Sequence, residues 1–193
     1  MKSVTPLRFV ISGSVLLVCP TLVQAHLGHG PLEGSIAGCA HPVMGWDHLL
    51  AFIAVGLWAA QLGGRARWIV PSAFLGLMAC GAAATGSATL PALTHPMIFS
   101  SLMVIGLFVA TAVRLPVTAS AMIVAVFAFF HGAAHGGGIS LSAEGGAYAV
   151  GFVLASALLH GAGLAAGAPA QPASALLTRV LGAAVALTGL VFL

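Results

Sequence analysis

Six long apolar stretches, separated by short polar or glycine-rich segments, dominate the chain. They cover residues 42–62, 68–86, 95–113, 117–135, 147–166 and 176–193. Each is close to the length of about 20 residues that an α-helix needs to cross the hydrocarbon core of a bilayer. The stretches lack the alternating polar positions typical of membrane β-strands, and backbone groups in lipid must be paired internally. The pattern therefore predicts an all-α membrane protein with six transmembrane helices.

The composition supports this fold class and narrows the classes of function. Of the 193 residues, 60% are hydrophobic and 5% are charged, and the mean hydropathy is +1.13. Such a chain cannot form an ordinary soluble surface. The pI near 9.2 comes from six Lys and Arg against three acidic residues scattered between apolar runs, which indicates membrane topology. A nucleotide-binding loop is also missing from the sequence. We expect the lipid bilayer as a partner, and neither nucleic acid nor nucleotide.

Residues 1–25 have the features of a secretory signal peptide. A basic start and a short apolar segment precede the small-residue sequence Val-Gln-Ala, which ends at Ala25. We predict cleavage there, which leaves one transmembrane domain over residues 26–193. A lipoprotein signal at Cys19 is disfavoured because Val18 is larger than the residue required before a lipidated cysteine. A retained signal anchor is the remaining alternative, and it places the following segment on the same side of the membrane.

The arginines between the predicted spans fall in alternate connections. They are Arg65, Arg67 and Arg114, with Arg179 at the start of the sixth span, whereas the connections at 87–94 and 136–146 contain none. Under the positive-inside rule the arginine-bearing connections are cytoplasmic. The pattern therefore predicts a multi-pass protein of the bacterial inner membrane, with the N-terminus of the mature chain in the periplasm.

Seven of the eight histidines are predicted to lie outside the membrane or in its outer half. They are His26, His29, His41, His48, His95, His131 and His135. Only His160 is predicted deeper, roughly 20 Å below the outer surface at 1.5 Å per helical residue. Ionisable residues inside a membrane are costly and usually face a partner or a cavity. The accumulation at one side therefore indicates a functional site.

The sequence "HPVMGWDH" at residues 41–48 opens the first predicted span. On a continuous helix His41 and His48 are seven residues apart and share a face, with Met44 between them. Asp47 lies about 100° away around that helix. It has two alternative roles: direct metal ligation, or orientation of a ligating imidazole by accepting its N–H.

A second pair, His131 and His135, is spaced four residues apart in the fourth predicted span. This spacing places both rings on one helix face. Imidazole favours nickel, cobalt, copper and zinc, and a carboxylate adds a harder ligand. Calcium and magnesium are disfavoured because oxygen ligands are few.

Structural roles are the alternative for several of these residues. His160 on its own fits a hydrogen-bonded packing residue better than a ligand, His95 fits a helix cap, and His26 and His29 fit incidental tail residues. The nearby glycines permit either close helix packing, which is common in membranes, or access of an ion to the rings. These glycines are Gly45, Gly132, Gly136 to Gly138 and Gly161.

Two other classes of function are compatible with parts of the pattern. A b-type cytochrome holds haem between histidines of two helices, and His48 and His131 have similar predicted depths. A Soret band in the visible spectrum would establish that alternative. A membrane hydrolase is disfavoured because Ser140 and Ser142 are predicted in a loop and the His-Glu-x-x-His pattern is missing.

Three regions resemble the signature regions of the HupE/UreJ family of membrane proteins. They are "HPVMGWDHLLAFIAVGLWAA", "FAFFHGAAHG" and "AYAVGFVLASALLHGAGLAAG", and the resemblance covers nearly the whole chain after the signal peptide. It implies a nickel or cobalt permease associated with hydrogenase, urease or cobalamin pathways, and not an enzyme. The metal-associated residues that the resemblance implies are His41, Asp47, His48, His131, His135 and His160.

The chain departs from the family pattern at two places. Family members often carry a further histidine and an acidic residue in the second region, where this chain has Ala133 and Gly136 to Gly138. Near the start of the third span, where the family pattern has an acidic residue, this chain has His95.

From the motifs and the resemblance together we expect import of a divalent metal, nickel first and cobalt next, with His26, His29 and His95 as additional ligands. We expect no permanently bound cofactor, and cytoplasmic metallochaperones as partners.

Overall fold

The computed structural model describes residues 31–84, 90–136, 142–167 and 172–193. Every regular element in these ranges is an α-helix. The helices are α1 (Pro31–Met44), α2 (Trp46–Leu62), α3 (Ala66–Ala83), α4 (Leu90–Thr111), α5 (Val117–Gly136), α6 (Ala143–Gly167) and α7 (Pro172–Phe192). The predicted signal peptide, His26 and His29 lie outside the described residues.

Helices α3 to α7 are each long and apolar enough to cross a membrane. The all-α fold is therefore confirmed for the described residues, and these five helices are candidates for the last five predicted spans. The first span differs from the prediction, because α1 and α2 meet at a bend of 79°. Pro42 lies inside α1, and Gly45 between the two helices has an extended backbone, with φ −81° and ψ 100°. A single straight helix over residues 42–62 is wrong: residues 42–44 end one helix and α2 begins a new one.

Helix α2 is the centre of the bundle. Nine of the ten residues from 51 to 60 are buried, and the surrounding contacts come mainly from α3, α4 and α6. A helix that is apolar on all sides is expected in such an interior position. The Trp58 indole Nε1–H donates to the Val113 carbonyl at 3.0 Å. This bond joins the end of α2 to the chain that follows α4.

Glycines set the closest helix contacts. A Cβ atom on Gly132 would meet the Met78 carbonyl of α3, and one on Gly56 would meet the His160 carbonyl of α6. Small residues at such crossings allow backbones to touch, which is the common way to pack membrane helices. Of the alternatives for these glycines, Gly132 has the packing role. Gly161 does not, because a Cβ there would have nothing within 4 Å.

The bundle has two chemically different ends. Helix α1 packs against the start of α6 and α2 against its later turns, since Gly34 approaches Glu144 and Gly56 approaches His160. The end of α2 contacts the end of α4 through a hydrogen bond from Gln61 Nε2 to the Val109 carbonyl, at 3.0 Å. All four arginines of the described chain belong to this end, which we call the arginine end. The histidines of α1, α2 and α5 lie toward the opposite end.

Candidate metal site

Four histidine rings from three helices meet beside the bend between α1 and α2. The ring centroids of His41 and His135 are 4.5 Å apart, those of His48 and His135 4.6 Å, and those of His48 and His131 5.2 Å. We call His41, His48, His131 and His135 the histidine cluster. His48 and His131 are buried, at 6% and 0% exposure. The structure thus brings together four of the residues that the sequence singled out.

The bend changes how the first two of these histidines meet. His41 and His48 belong to different helices, and their ring centroids are 6.3 Å apart across the bend at Gly45. The prediction that Met44 lies between them on one helix face is wrong. Met44 is 70% exposed, since α1 ends there. Broken helices of this kind line the ion and substrate sites of several transporter folds.

Asp47 has the hydrogen bonds that the second of its two predicted roles requires. Its Oδ1 accepts a hydrogen bond from the Nδ1 of His48 at 2.9 Å and another from the backbone N–H of the same residue at 2.9 Å. With Nδ1 bound to the carboxylate, the Nε2 of His48 faces the cluster. Carboxylates fix the tautomer and direction of metal-binding imidazoles in this way.

Gly45 leaves room for this arrangement. A Cβ atom there would lie 3.1 Å from Asp47 Oδ1 and 3.3 Å from His48 Nδ1. These distances are tighter than ordinary contacts, so a larger residue would press on the carboxylate and the ring. The residue at the bend therefore also preserves the orientation of His48.

The two nitrogens at the centre of the cluster contact each other directly. His48 Nε2 and His135 Nε2 are 2.7 Å apart, so one of them donates a proton to the other. Two nitrogens bound to one ion at about 2.1 Å would be about 3 to 3.4 Å apart. Within the described ranges, no three His, Cys, Asp or Glu side chains converge closely enough to hold an ion. Binding therefore requires loss of this hydrogen bond and separation of the rings by roughly 0.5 Å.

His131 has one ring nitrogen that is free to bind an ion. Its Nδ1 donates to the Phe127 carbonyl at 2.9 Å, while its Nε2 is buried without a hydrogen-bond partner. A buried polar atom left without a partner costs about 1–3 kcal/mol. An ion that ligated this nitrogen would offset that cost.

His160 has the same arrangement deeper in the bundle. Its Nδ1 donates to the Ser156 carbonyl at 2.6 Å, and its Nε2 is also buried without a partner. Two aromatic rings contact both His160 and His131 of the cluster: Phe52 and Phe74, which we call the phenylalanine pair. Phe52 is 5.7 Å from His131 and 5.5 Å from His160, centroid to centroid. Phe74 is 5.4 Å from His131 and 5.1 Å from His160.

Sequence reasoning missed the phenylalanine pair. Both rings are fully buried and stand in apolar runs, where a phenylalanine has the ordinary signature of a core residue. The spacing Phe52 to His48, one helical turn, was the available signal. This spacing indicates a role for Phe52 only together with Phe74, which belongs to α3.

Of the other predicted ligands that the structure describes, His95 does not lie at the cluster. His95 is exposed and its ring stacks against Phe99, with centroids 6.5 Å apart. Its role as a ligand stays a prediction, as do those of the two tail histidines outside the described residues.

The geometry also bears on the two rival functions. The rings of His48 and His131 are in edge-to-face contact, so a haem plane cannot lie between them as axial ligation requires. Ser142 Oγ accepts the backbone N–H of Gly145 at 3.2 Å, which is the position of a helix cap. Ser140 lies outside the described residues. Neither rival gains support from the described chain.

The fold and the site define a multi-pass membrane protein with a buried histidine cluster at a broken helix. The chain matches the model of the family described as HupE / UreJ protein over residues 14–192. It is also 39% identical over 180 residues to Protein HupE of Rhizobium leguminosarum bv. viciae, covering 90% of this chain and 91% of that protein. The chain belongs to the HupE/UreJ family, which confirms the resemblance seen in the sequence. No solved structure matches it.

Proposed function

We propose that the protein is a permease that imports a divalent transition-metal ion from the periplasm to the cytoplasm across the bacterial inner membrane. Nickel is the proposed substrate, with cobalt next. The observation that carries the proposal is the convergence of three helices on four imidazoles, one of them oriented by Asp47. Membership of a family of hydrogenase and urease accessory membrane proteins supports the same function.

The chemistry of the cluster fits such an ion. Neutral imidazole nitrogens favour nickel, cobalt, copper and zinc over calcium and magnesium. An arriving ion would replace part of its water shell with His48 Nε2 and His135 Nε2 once their mutual hydrogen bond opens. His41 lies in ring contact with His135 and supplies a further donor. His131, with its unpartnered Nε2, is the innermost ligand of the cluster.

The route inward leads from the cluster to His160 past the phenylalanine pair. Both ends of this step present an unpartnered Nε2, so an ion leaving one imidazole has another to receive it. Conduction requires sites that release an ion as readily as they accept it. The phenylalanine pair would have to move for the ion to pass, which makes it the barrier between the two sites.

A permease of this kind also needs residues that collect the ion, proteins that receive it and a source of energy. The tail histidines and His95 would collect the ion outside, and metallochaperones would receive it in the cytoplasm for metalloenzyme or cofactor assembly. The protein carries the ion as substrate, without a resident cofactor. Since the sequence lacks a nucleotide-binding loop, transport would run down a gradient or be coupled to one.

Competition between metals tests the proposed substrate. Cells without their own nickel importers that express the protein should accumulate radioactive nickel, with uptake lowered most by excess cobalt. A tenfold excess of magnesium should have little effect, because the cluster offers imidazole rather than oxygen ligands. Uptake no faster than in cells with an empty vector would contradict the proposal. Equal inhibition by magnesium would contradict the assigned ligands.

Replacing His160 by alanine separates the inner site from the cluster. We expect the maximal rate of nickel uptake to fall while the affinity of nickel binding stays nearly unchanged, because the phenylalanine pair divides His160 from the cluster. Calorimetry of the purified variant gives the binding constant, and initial uptake rates at several nickel concentrations give the transport parameters. A folded variant that loses both binding and transport would show that His160 belongs to the main site.

A further inference from the structure

Within the described residues, no acidic side chain pairs with the arginines at the arginine end of the bundle. The three acidic residues are Glu33, Asp47 and Glu144, and each stands in the first turn of a helix that runs toward the arginine end. The distance along α2 from Asp47 to Gln61 is about 21 Å at 1.5 Å per residue. An ion pair needs contact within about 4 Å, so these carboxylates are too far away to pair with the arginines. Any anion that pairs with these exposed arginines therefore comes from outside the described chain.

Two of the arginines line one cavity of about 160 Å³. It lies among the ends of α2, α4 and α6 and the start of α7. Its lining residues are Gln61, Ala112, Arg114, Gly167, Ala175, Thr178 and Arg179. The lining combines two guanidinium groups with uncharged side chains, which is the composition of an anion site.

The position of Arg179 is fixed across two helices. Its Nε–H donates to the Ala110 carbonyl at the end of α4, at 2.7 Å, which ties the guanidinium of α7 to the rim of the cavity. A guanidinium carries five N–H donors, so the terminal nitrogens still form the fork that binds phosphate oxygens in two places. Arg114 adds a second cation to the same cavity.

Gln61 presents a hydrogen-bond acceptor, whereas the two arginines present donors. Its Nε2 donates to the Val109 carbonyl at 3.0 Å, which fixes the amide so that its Oε1 is the free end. Oε1 is buried and has no hydrogen-bond partner. As an acceptor only, it is completed by an O–H or N–H donor. The side chain of Gln61 must therefore turn toward the cavity before an occupant can reach Oε1. The occupant that then satisfies the whole cavity carries an anionic group and a hydrogen-bond donor close together.

Apolar side chains of α7 continue from the cavity along the lipid-facing side. Leu176, Leu177, Val180 and Leu181 flank Arg179 and are 44–65% exposed. We propose that the cavity binds the headgroup of phosphatidylglycerol. The phosphate contacts Arg114 and Arg179, a glycerol hydroxyl donates to Gln61 Oε1, and the acyl chains lie along α7. Basic pockets between membrane helices bind anionic headgroups by the same chemistry.

Lipid titration followed by native mass spectrometry of the purified full-length chain tests this site. Arg114→Gln with Arg179→Gln should weaken phosphatidylglycerol binding by about tenfold or more, the effect of losing charged hydrogen bonds. Arg65→Gln with Arg67→Gln removes the same charge from the same end outside the cavity, and should keep the wild-type affinity. Equal losses in the two double variants would overturn the proposal, because they would indicate general attraction to the basic end.

Binding measurements with two other ligands identify which anion the cavity binds. Phosphatidylmethanol has the same charge but lacks the headgroup hydroxyl, so Gln61→Leu should weaken binding of phosphatidylglycerol and not of phosphatidylmethanol. Inorganic phosphate is the other source of the anion; phosphate binding that depends on Arg114 and Arg179, without lipid binding, would overturn the lipid assignment. Arg114→Lys with Arg179→Lys retains the charge if the Gln variant does not fold. Wild-type affinity in that variant would also overturn the proposal, since lysine cannot form the fork.

Discussion

Replacing His48 by alanine is expected to abolish high-affinity nickel uptake. His48 contacts two other rings of the cluster and is the histidine that Asp47 orients, so its loss removes a central ligand. The protein should still insert, because the spans remain apolar enough without it. Uptake by cells that lack their own nickel importers, normalised to the amount of protein in the membrane, gives the result.

A matched pair of carboxylate variants separates orientation from charge. Asp47→Asn should lower nickel affinity by roughly 10- to 100-fold, the usual effect of removing the carboxylate behind a metal-binding imidazole. Glu33→Gln removes the same charge from an exposed position on α1 and should bind nickel as the wild type does. Wild-type uptake in a well-expressed double variant, Asp47→Asn with His48→Ala, would refute the assignment of the site.

Replacing Gly132 by alanine is expected to destabilise the protein and to reduce transport together. The new Cβ would meet the Met78 carbonyl and the backbone nitrogen of Ala82, so α5 must move away from α3. Overpacking of this kind costs about 1–3 kcal/mol or more, which corresponds to a fall of roughly 5 °C in the unfolding temperature. The shift also displaces His131, the neighbour of Gly132 in the sequence. Thermal unfolding in detergent and nickel uptake measure the two effects.

Gly161→Ala provides the control for this substitution. Gly161 is next to His160 in the sequence, but a Cβ there has nothing within 4 Å. The variant should therefore keep the wild-type unfolding temperature and uptake. Equal stability of the two variants would show that α3 and α5 do not pack as closely as described.

The long apolar runs predicted most of the fold, and the places where they failed have a physical cause. Hydropathy reports whether a residue can lie in lipid, but not whether the helix is continuous. The apolar run therefore does not predict the break between Met44 and Trp46, although the run contains Pro42 and Gly45. Backbone geometry at the bend also decided which rings meet, and Met44 was assigned wrongly for this reason.

The residues of the candidate site could be predicted where their residue type is rare in the chain, and could not where it is common. Histidines are few in an apolar chain, so His131 and His135 stood out by their spacing, and the structure places them with His41 and His48. Phenylalanines are ordinary in such a chain. The contacts of Phe52 and Phe74 with both His131 and His160 depend on how α2, α3, α5 and α6 pack. Spacing within one helix cannot reveal such packing.

Nickel flux into proteoliposomes that contain only this protein tests the central claim most directly. Vesicles with the wild-type chain should accumulate radioactive nickel down an imposed gradient much faster than protein-free vesicles. Vesicles with the His48→Ala variant, reconstituted at the same density, should be close to the protein-free rate. Flux that is equal in wild-type and protein-free vesicles, or unchanged by the loss of His48, would contradict the proposed transport through the histidine cluster.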